Sequence, residues 1–489
     1  MWFAASVIVA ALGRGCLAAS AADWRSRSIY QVFTDRFART DGSTSYPCNP
    51  ATNIYCGGTW KGIESKLDYI KNMGFTAIWI SPVTAQVDEA YHGYYQTDLY
   101  SVNSQFGSVD DLKSLASALH SRNMYLMVDV VPNHMGWPGC HDTVDYSHFK
   151  LFNKASDYHS FCSIENMQNQ TELEKCWLGN CNITMPDLNT ESQEVVSKMN
   201  TWIKSLVSNY SIDGLRIDSV KNVNKDFFPG WCGSAGVFCM GEVSEGEATY
   251  TYPYQKYMDS VLDYPMYYAL DRVFQQKTNM SDLVVALAAC RKNAQQGCKD
   301  ATLLGTFLEN HDKARFPSAT QDMSLVLNAI AFTLMSDGIP IVYQGQEQHF
   351  AGGDDPGCRE ALWSSGYNQQ APLYKQIAYL NQIRNHISAN HASYATYWTT
   401  VQAYDADVIQ LRKDVIRTVL TNQGEKGGAY TLTTQDMGFT KGETVLNVLT
   451  CDKYTASDKG EVDVKMSGGK PSVLVPESAL KGSGICSYQ

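Results

Sequence analysis

The stretch GLRIDSVKN (214–222) decides how the rest of the chain is read. A short apolar run, broken by Arg216, ends on the acidic Asp218 and passes into polar residues. The same design recurs at Asp129 in DVVPNH (129–134), Glu242 in MGEV (240–243) and Asp312 in FLENHD (307–312). A carboxylate at the end of a buried strand is costly unless it is paired or used. Any one alone reads most simply as a cap or an ion pair; four at matching positions ask for a common cause.

That cause is a barrel. Apolar or β-branched runs at 28–33, 77–80, 125–131, 215–218, 237–242, 303–310 and 339–343 read as strands. Helical periodicity at 108–122, 192–208 and 322–335 falls between them. Strand alternating with helix predicts an α/β fold, a (β/α)8 TIM barrel, whose functional groups gather at the carboxyl ends of the strands. From Asp218 to Glu242 is one compact step, and from Glu242 to Asp312 about two. From Asp129 to Asp218 is too long for one, and the excess is rich in Cys, Asn and Ser. It predicts a small domain at 134–187 inserted after the third strand. Beyond about residue 390 short alternating strands with Gly-rich turns predict a C-terminal antiparallel β-sandwich. The expected organisation is a leader at 1–22, barrel at 23–133 and 188–390, insert at 134–187 and sandwich at 391–489.

The 489 residues carry 39 Lys and Arg against 50 Asp and Glu, a net charge of −11. A chain so acidic is repelled by phosphate backbones and anionic membranes, so neither nucleic acid nor membrane is an expected partner, and a monomer is expected. An apolar run at 2–12 followed by Ala18-Ala19-Ser20-Ala21-Ala22 has the form of a secretory signal peptide, although no basic residue precedes it and Arg14 follows. Fourteen cysteines also suit secretion to an extracellular, oxidising compartment. The close pairs Cys48/Cys56, Cys162/Cys176, Cys232/Cys239 and Cys290/Cys298 read as local staples, and Cys451 and Cys486 are also expected in disulfides. Loss of Cys16 with the leader leaves an odd number, hence at least one free thiol. Sequons at Asn169, Asn182, Asn209 and Asn279 are expected glycosylation sites.

Two convergent carboxyl groups are the minimum machinery of a retaining glycosidase: one attacks the sugar carbon, the other protonates the leaving oxygen and later activates water. Arg216, two residues before Asp218 on one strand face, would keep the attacking group ionised. The acid partner needs a raised pKa, which an apolar strand and neighbouring carboxylates supply.

From Asp23-Trp24-Arg25 to the C-terminus, with all four motif segments in order, the chain resembles the α-amylase family of glycoside hydrolases, and the fungal members in particular. The resemblance implies Asp218 as nucleophile, Glu242 as general acid/base and Asp312 as transition-state stabiliser. It implies that Arg216, His134 and His311 line the site of the cleaved sugar, and that Tyr94 stacks on that ring. It also implies that Tyr95 and Lys221 lie at substrate subsites, and that Asp355 and Arg359, in GGDDPGCRE (352–360), hold sugars further along the donor side. The substrate it implies is an α-glucan polysaccharide or oligosaccharide, cut at internal α-1,4 bonds. A structural calcium is implied as well, through the side chains of Asn133 and Asp187 and the backbone carbonyls of Glu174 and Asn222. Plainer readings stand beside these: core histidines for His134 and His311, packing for Tyr94 and Tyr95, an ion pair for Asp355 and Arg359, a helix cap for Asp187.

The sequence departs from the fungal pattern near the subsites. Asn222 replaces a histidine, Tyr95 a tryptophan, and the stretch 86–90 is shorter. Tyr252 stands where relatives have cysteine, which leaves Cys298 to pair with Cys290. The alternatives are a 4-α-glucanotransferase using the same residues, or a non-catalytic binding member; the latter is expected to lose an acid, and all three are present.

Overall fold

In the computed structural model, which describes residues 19–293 and 295–489, eight short parallel strands form one sheet. They are β1 (Ile29–Val32), β2 (Ala77–Ile80), β3 (Tyr125–Val130), β4 (Gly214–Ile217), β5 (Phe238–Gly241), β6 (Ser260–Val261), β7 (Gly305–Phe307) and β8 (Ile339–Tyr343). Neighbours in sequence are neighbours in space, β8 pairs with both β1 and β7, and a parallel bridge from Leu262 to Gly305 joins the last edges into a barrel. Because the interior is filled and helices cover the outside, these strands are buried on both faces and read as continuous apolar runs rather than alternating ones. At the closing seam a Cβ on Gly305 would lie 2.7 Å from Met240 Sδ, so glycine is what fits there.

Seven strands coincide in place with the runs read from sequence. The eighth, β6, is two residues long and has too little pattern to be seen; only the double spacing between Glu242 and Asp312 announced it. The covering helices follow their own logic. Val109–Ser121 opens with a capping box between Ser108 and Asp111 and buries Leu112, Leu115, Ala116 and Leu119 along one stripe. Gln193–Tyr210 buries Val195, Met199, Trp202, Ile203 and Leu206 at the same spacing.

Between β3 and that second helix the chain makes a long excursion. It is built on a small antiparallel sheet of Trp137–Pro138, Ile183–Met185 and Leu178–Gly179, and stapled by Cys140–Cys181 and Cys162–Cys176. A bridge between His134 and Asp187 ties its two ends at the barrel. At the C-terminus a six-stranded antiparallel sheet faces the ribbon of Tyr430–Thr433 and Asp463–Met466, with Val408, Val419, Val445 and Leu474 against Val464 and Met466. Asn328 on a barrel helix fixes this unit, donating to Gly469 O (2.8 Å) and accepting from Thr421 N (2.8 Å).

Disulfides join Cys48–Cys56, Cys140–Cys181, Cys162–Cys176, Cys290–Cys298 and Cys451–Cys486. The expected Cys232/Cys239 staple is corrected: both are free thiols, one held in the helix Phe227–Ala235 and the other inside β5, so each backbone is fixed by its own element. Cys358 is also free and buried. Of the leader expected at 1–22, residues 1–18 lie outside the described residues. Among the described residues no helix is long and apolar enough to cross a membrane.

Candidate active site

The parallel register sets Asp129 beside Arg216, and Arg216 beside Met240, so β3, β4 and β5 deliver their terminal side chains to one point. Arg216 is the hub. Its Nη1 donates to Asp129 Oδ1 (2.9 Å) and to Asp218 Oδ1 (2.7 Å), and its Nη2 lies 3.0 Å from Glu242 Oε1. One buried guanidinium therefore faces three carboxyl groups, one from the end of each of three adjacent strands. Burial alone would disfavour its charge; the carboxylates reverse that and push its pKa up.

The three acids experience different surroundings. Glu242 accepts from Ser219 N (3.2 Å) and from Tyr264 OH (3.2 Å), which itself accepts from Asn310 Nδ2 (3.0 Å). Burial pushes the Glu242 carboxyl up to about 7; Arg216 opposes this, and Asp218 and Asp312 reinforce it. Asp218 holds its second oxygen against Ser219 Oγ, which donates at 2.6 Å. Asp312 sits past the end of β7 with its side chain 34% exposed, and it takes Arg359 Nη2 at 3.2 Å. Burial pushes its carboxyl up, but neighbouring groups, the charged Arg359 and Arg216 among them, outweigh that and hold it below the ordinary range.

The remaining residues form a relay around this core. Gln31 Nε2 donates to His311 Nδ1 (2.8 Å), His311 Nε2 donates to Tyr94 OH (2.6 Å), and Tyr94 OH donates to Asp129 Oδ2 (2.9 Å). Burial pushes His311 down to about 4, the neutral form this relay requires. His134 Nε2 donates to Tyr94 O (3.0 Å), which fixes the loop carrying that ring. Burial also pushes Asp129 up to about 7. Beyond Tyr94 runs a groove of about 670 Å³ lined by Tyr91, Tyr95, Asp355 and Arg359. Arg359 joins its parts, contacting Asp355 (2.9 Å), Tyr91 OH (3.0 Å) and His311 O (2.9 Å).

The expected residues Asp218, Glu242, Asp312, Arg216, His311, Tyr94 and Arg359 thus lie in one connected network, with His134 and Asp355 attached to it. Tyr95 stands on the groove wall, edge-on to His92. Lys221 is set apart, its Nζ donating to Ser244 O (3.2 Å). Ser219, Tyr264, Asn310 and Tyr91 escaped the sequence reading. Asp129 was visible as a strand-end acid, but nothing in its motif marked it as the partner of Arg216.

A cation would meet oxygen donors at the base of the excursion. Asp187 is buried, its Oδ2 takes His159 Nδ1 (2.7 Å), and its Oδ1 has no hydrogen-bond partner. Burial pushes its carboxyl up to about 7. Asn133, also buried, turns its amide nitrogen to His134 Nδ1 (3.1 Å) and so leaves its oxygen for another partner. The helix Gln170–Lys175, which carries Glu174, is fastened to the 220–222 turn by Asn222 Nδ2 donating to Leu173 O (3.1 Å). A lone anionic oxygen with amide and carbonyl oxygens is the donor chemistry of a hard divalent cation. Among the described residues no group of three or more His, Cys, Asp or Glu is placed to hold a metal ion.

Residues 31–416 match the family described as "Alpha amylase, catalytic domain", and residues 403–489 match "Alpha-amylase, domain C". The chain is 49% identical over 480 residues to alpha-amylase 2 of Schwanniomyces occidentalis, covering 96% of this chain and 94% of that one. It is 46% identical over 470 residues to the alpha-amylase of Saccharomycopsis fibuligera, covering 95% and 94%. A solved alpha-amylase from Malbranchea cinnamomea superposes with a TM-score of 0.93 at 48% identity, over 96% of this chain and all of that one.

Proposed function

This chain belongs to the alpha-amylase family of glycoside hydrolases, and from that premise we propose that it hydrolyses internal α-1,4 bonds of starch-like glucans through a glycosyl ester on Asp218. The observation that carries the reading is Arg216: a single guanidinium contacts both Asp218 and Glu242, and burial leaves Glu242 protonated up to about pH 7.

Asp218 attacks the anomeric carbon as Glu242 gives its proton to the departing glycosidic oxygen. The bond from sugar to leaving group breaks and an ester to Asp218 forms. Water then attacks the same carbon; Glu242 takes its proton, and the ester electrons return to Asp218. Asp312, held ionised by its neighbours, faces the positive charge that develops on the ring. Tyr94 offers its face to that ring, His311 and His134 its polar edge, and Asp355, Arg359 and Tyr95 the following sugars; Lys221 lies toward the opposite side. Asn133 and Asp187, with carbonyls of Glu174 and Asn222, would hold a calcium ion, whose contribution is to neutralise Asp187 and fasten the excursion to the barrel. The five disulfides support an extracellular setting.

Replacing Asp218 by Asn is expected to lower turnover of a maltooligosaccharide by at least about 1,000-fold with the melting temperature within a few degrees of the parent. Substantial turnover in Asp218→Asn would remove that residue from the nucleophile role.

A further inference from the structure

Ser219 occupies the turn between the two acids in a conformation that serine seldom adopts. Its φ of 51° and ψ of 37° place it in the left-handed region, where a non-glycine residue is strained and calls for a compensating role. The turn aims its two donors in different directions. The hydroxyl donates to Asp218 Oδ2 at 2.6 Å, and the backbone N–H donates to Glu242 Oε2 at 3.2 Å. Asp218 is therefore held at both oxygens, by Arg216 on Oδ1 and by Ser219 on Oδ2.

We infer that Ser219 is a positioning residue whose hydroxyl makes Asp218 a better leaving group in the second half of the reaction. This rests on the reading of Asp218 as nucleophile. A hydrogen bond to a carboxylate is strongest when the carboxylate carries its full charge. That charge is present in the free enzyme, spent when the sugar ester forms, and restored when water cleaves it. The Ser219 hydroxyl thus stabilises the free carboxylate more than the ester. It slightly restrains the attack on the sugar and helps the C–O bond to Asp218 break, with the electron pair returning to a carboxylate already met by a donor. Arg216 shares this role but is tied to Asp129 and Glu242 at once, whereas the Ser219 hydroxyl bonds Asp218 alone.

The test uses Ser219→Ala and Ser219→Gly, with Asp218→Asn alongside, on an aryl maltooligosaccharide whose phenol leaves easily. Glycine needs no strain at this φ, and the backbone N–H to Glu242 survives in both variants, so a shared effect belongs to the hydroxyl. With this substrate kcat/KM reports ester formation, and kcat reports the slower ester cleavage. The expectation is a kcat lower by about tenfold, a KM lower in step, kcat/KM within about twofold of the parent, and more glycosyl-enzyme seen as an added sugar mass on the quenched protein. Ser219→Thr, which keeps the hydroxyl, should restore kcat where it folds. An unchanged kcat in the Ala and Gly variants, or a parallel fall in kcat and kcat/KM, overturns the inference. Persistent turnover and no covalent mass in Asp218→Asn would instead overturn the nucleophile reading on which it stands.

Discussion

Arg216 does several jobs with one group, and that makes it irreplaceable by its nearest relative. A lysine carries one compact charge and could satisfy one of Asp129, Asp218 and Glu242, not the three. Arg216→Lys is expected to cost at least about a hundredfold in kcat/KM, read by initial rates on soluble starch, and to destabilise the fold because Asp129 stays buried with a weaker partner. The pH profile is set by Glu242. Burial holds its pKa near 7, and the first step needs its proton, so activity is expected to persist below about pH 7 and fall as pH rises through it. Glu242→Gln cannot lose that proton, and with an activated aryl substrate its residual ester formation should show no alkaline limb; an unmoved limb would reassign it to another group. The acids and Arg216 were legible in the sequence because a charged residue at a strand end contradicts its apolar surroundings. Tyr264 and Ser219 contradict nothing locally: Tyr264 meets Glu242 only through the fold, and Ser219, although next to Asp218 in sequence, aims its hydroxyl at that carboxylate only through the left-handed turn it adopts.

The elements differ in how far they depend on local pattern. β1 to β5, β7 and β8 are continuous apolar runs because both faces are covered, and such runs are visible in sequence. β6 consists of Ser260 and Val261, and what makes it a strand is pairing to Met240 and Gly241 rather than any propensity of its own. The excursion between β3 and β4 could be recognised by its length and its cysteines, but the proposed cation donors could not be found by pattern, since they are spread over 133–222 and two are backbone groups. Removing calcium with a chelator should leave Asp187 buried with an unpartnered oxygen and lower the melting temperature by several degrees. Asp187→Asn should abolish the difference between calcium and chelator, whereas an unchanged melting curve in the parent would count against this donor set. Cys140–Cys181 closes the longest disulfide loop in the excursion, with a separation of 41 residues. Chain entropy puts its contribution at about 4 kcal/mol. Replacing both cysteines by serine should show that loss in denaturant midpoint, and should increase proteolytic cutting within 141–180.

At the scale of the whole molecule, the excursion and the barrel form the two walls of one cleft, and what enters after the first step decides the product. On the mechanism proposed above, an ester on Asp218 would be resolved by water or by a sugar hydroxyl, so the outcome would depend on how firmly an acceptor sugar is held against Glu242. On the proposed reading the acceptor side is the one beside Lys221 and Asn222, and both are already engaged. Asn222 turns its amide into the excursion to meet Leu173 O, and Lys221 is engaged with Ser244 O. The groove lined by Tyr95, Asp355 and Arg359, which the proposed reading gives to the donor side, is the better furnished half. An acceptor bound loosely competes poorly with water at high concentration, so hydrolysis should dominate over transfer. Incubation with a single maltooligosaccharide and separation of the products at early times is expected to give chains shorter than the starting sugar. Chains longer than it would establish a glucanotransferase using the same three acids. If residue 222 lies on the acceptor side as proposed, Asn222→His would add an imidazole donor there and should raise the fraction of longer products several-fold, while leaving the position of the alkaline limb set by Glu242 where it was. If the substitution changes neither fraction, acceptor binding is governed by groups other than this turn, and the preference for water must come from the acids themselves.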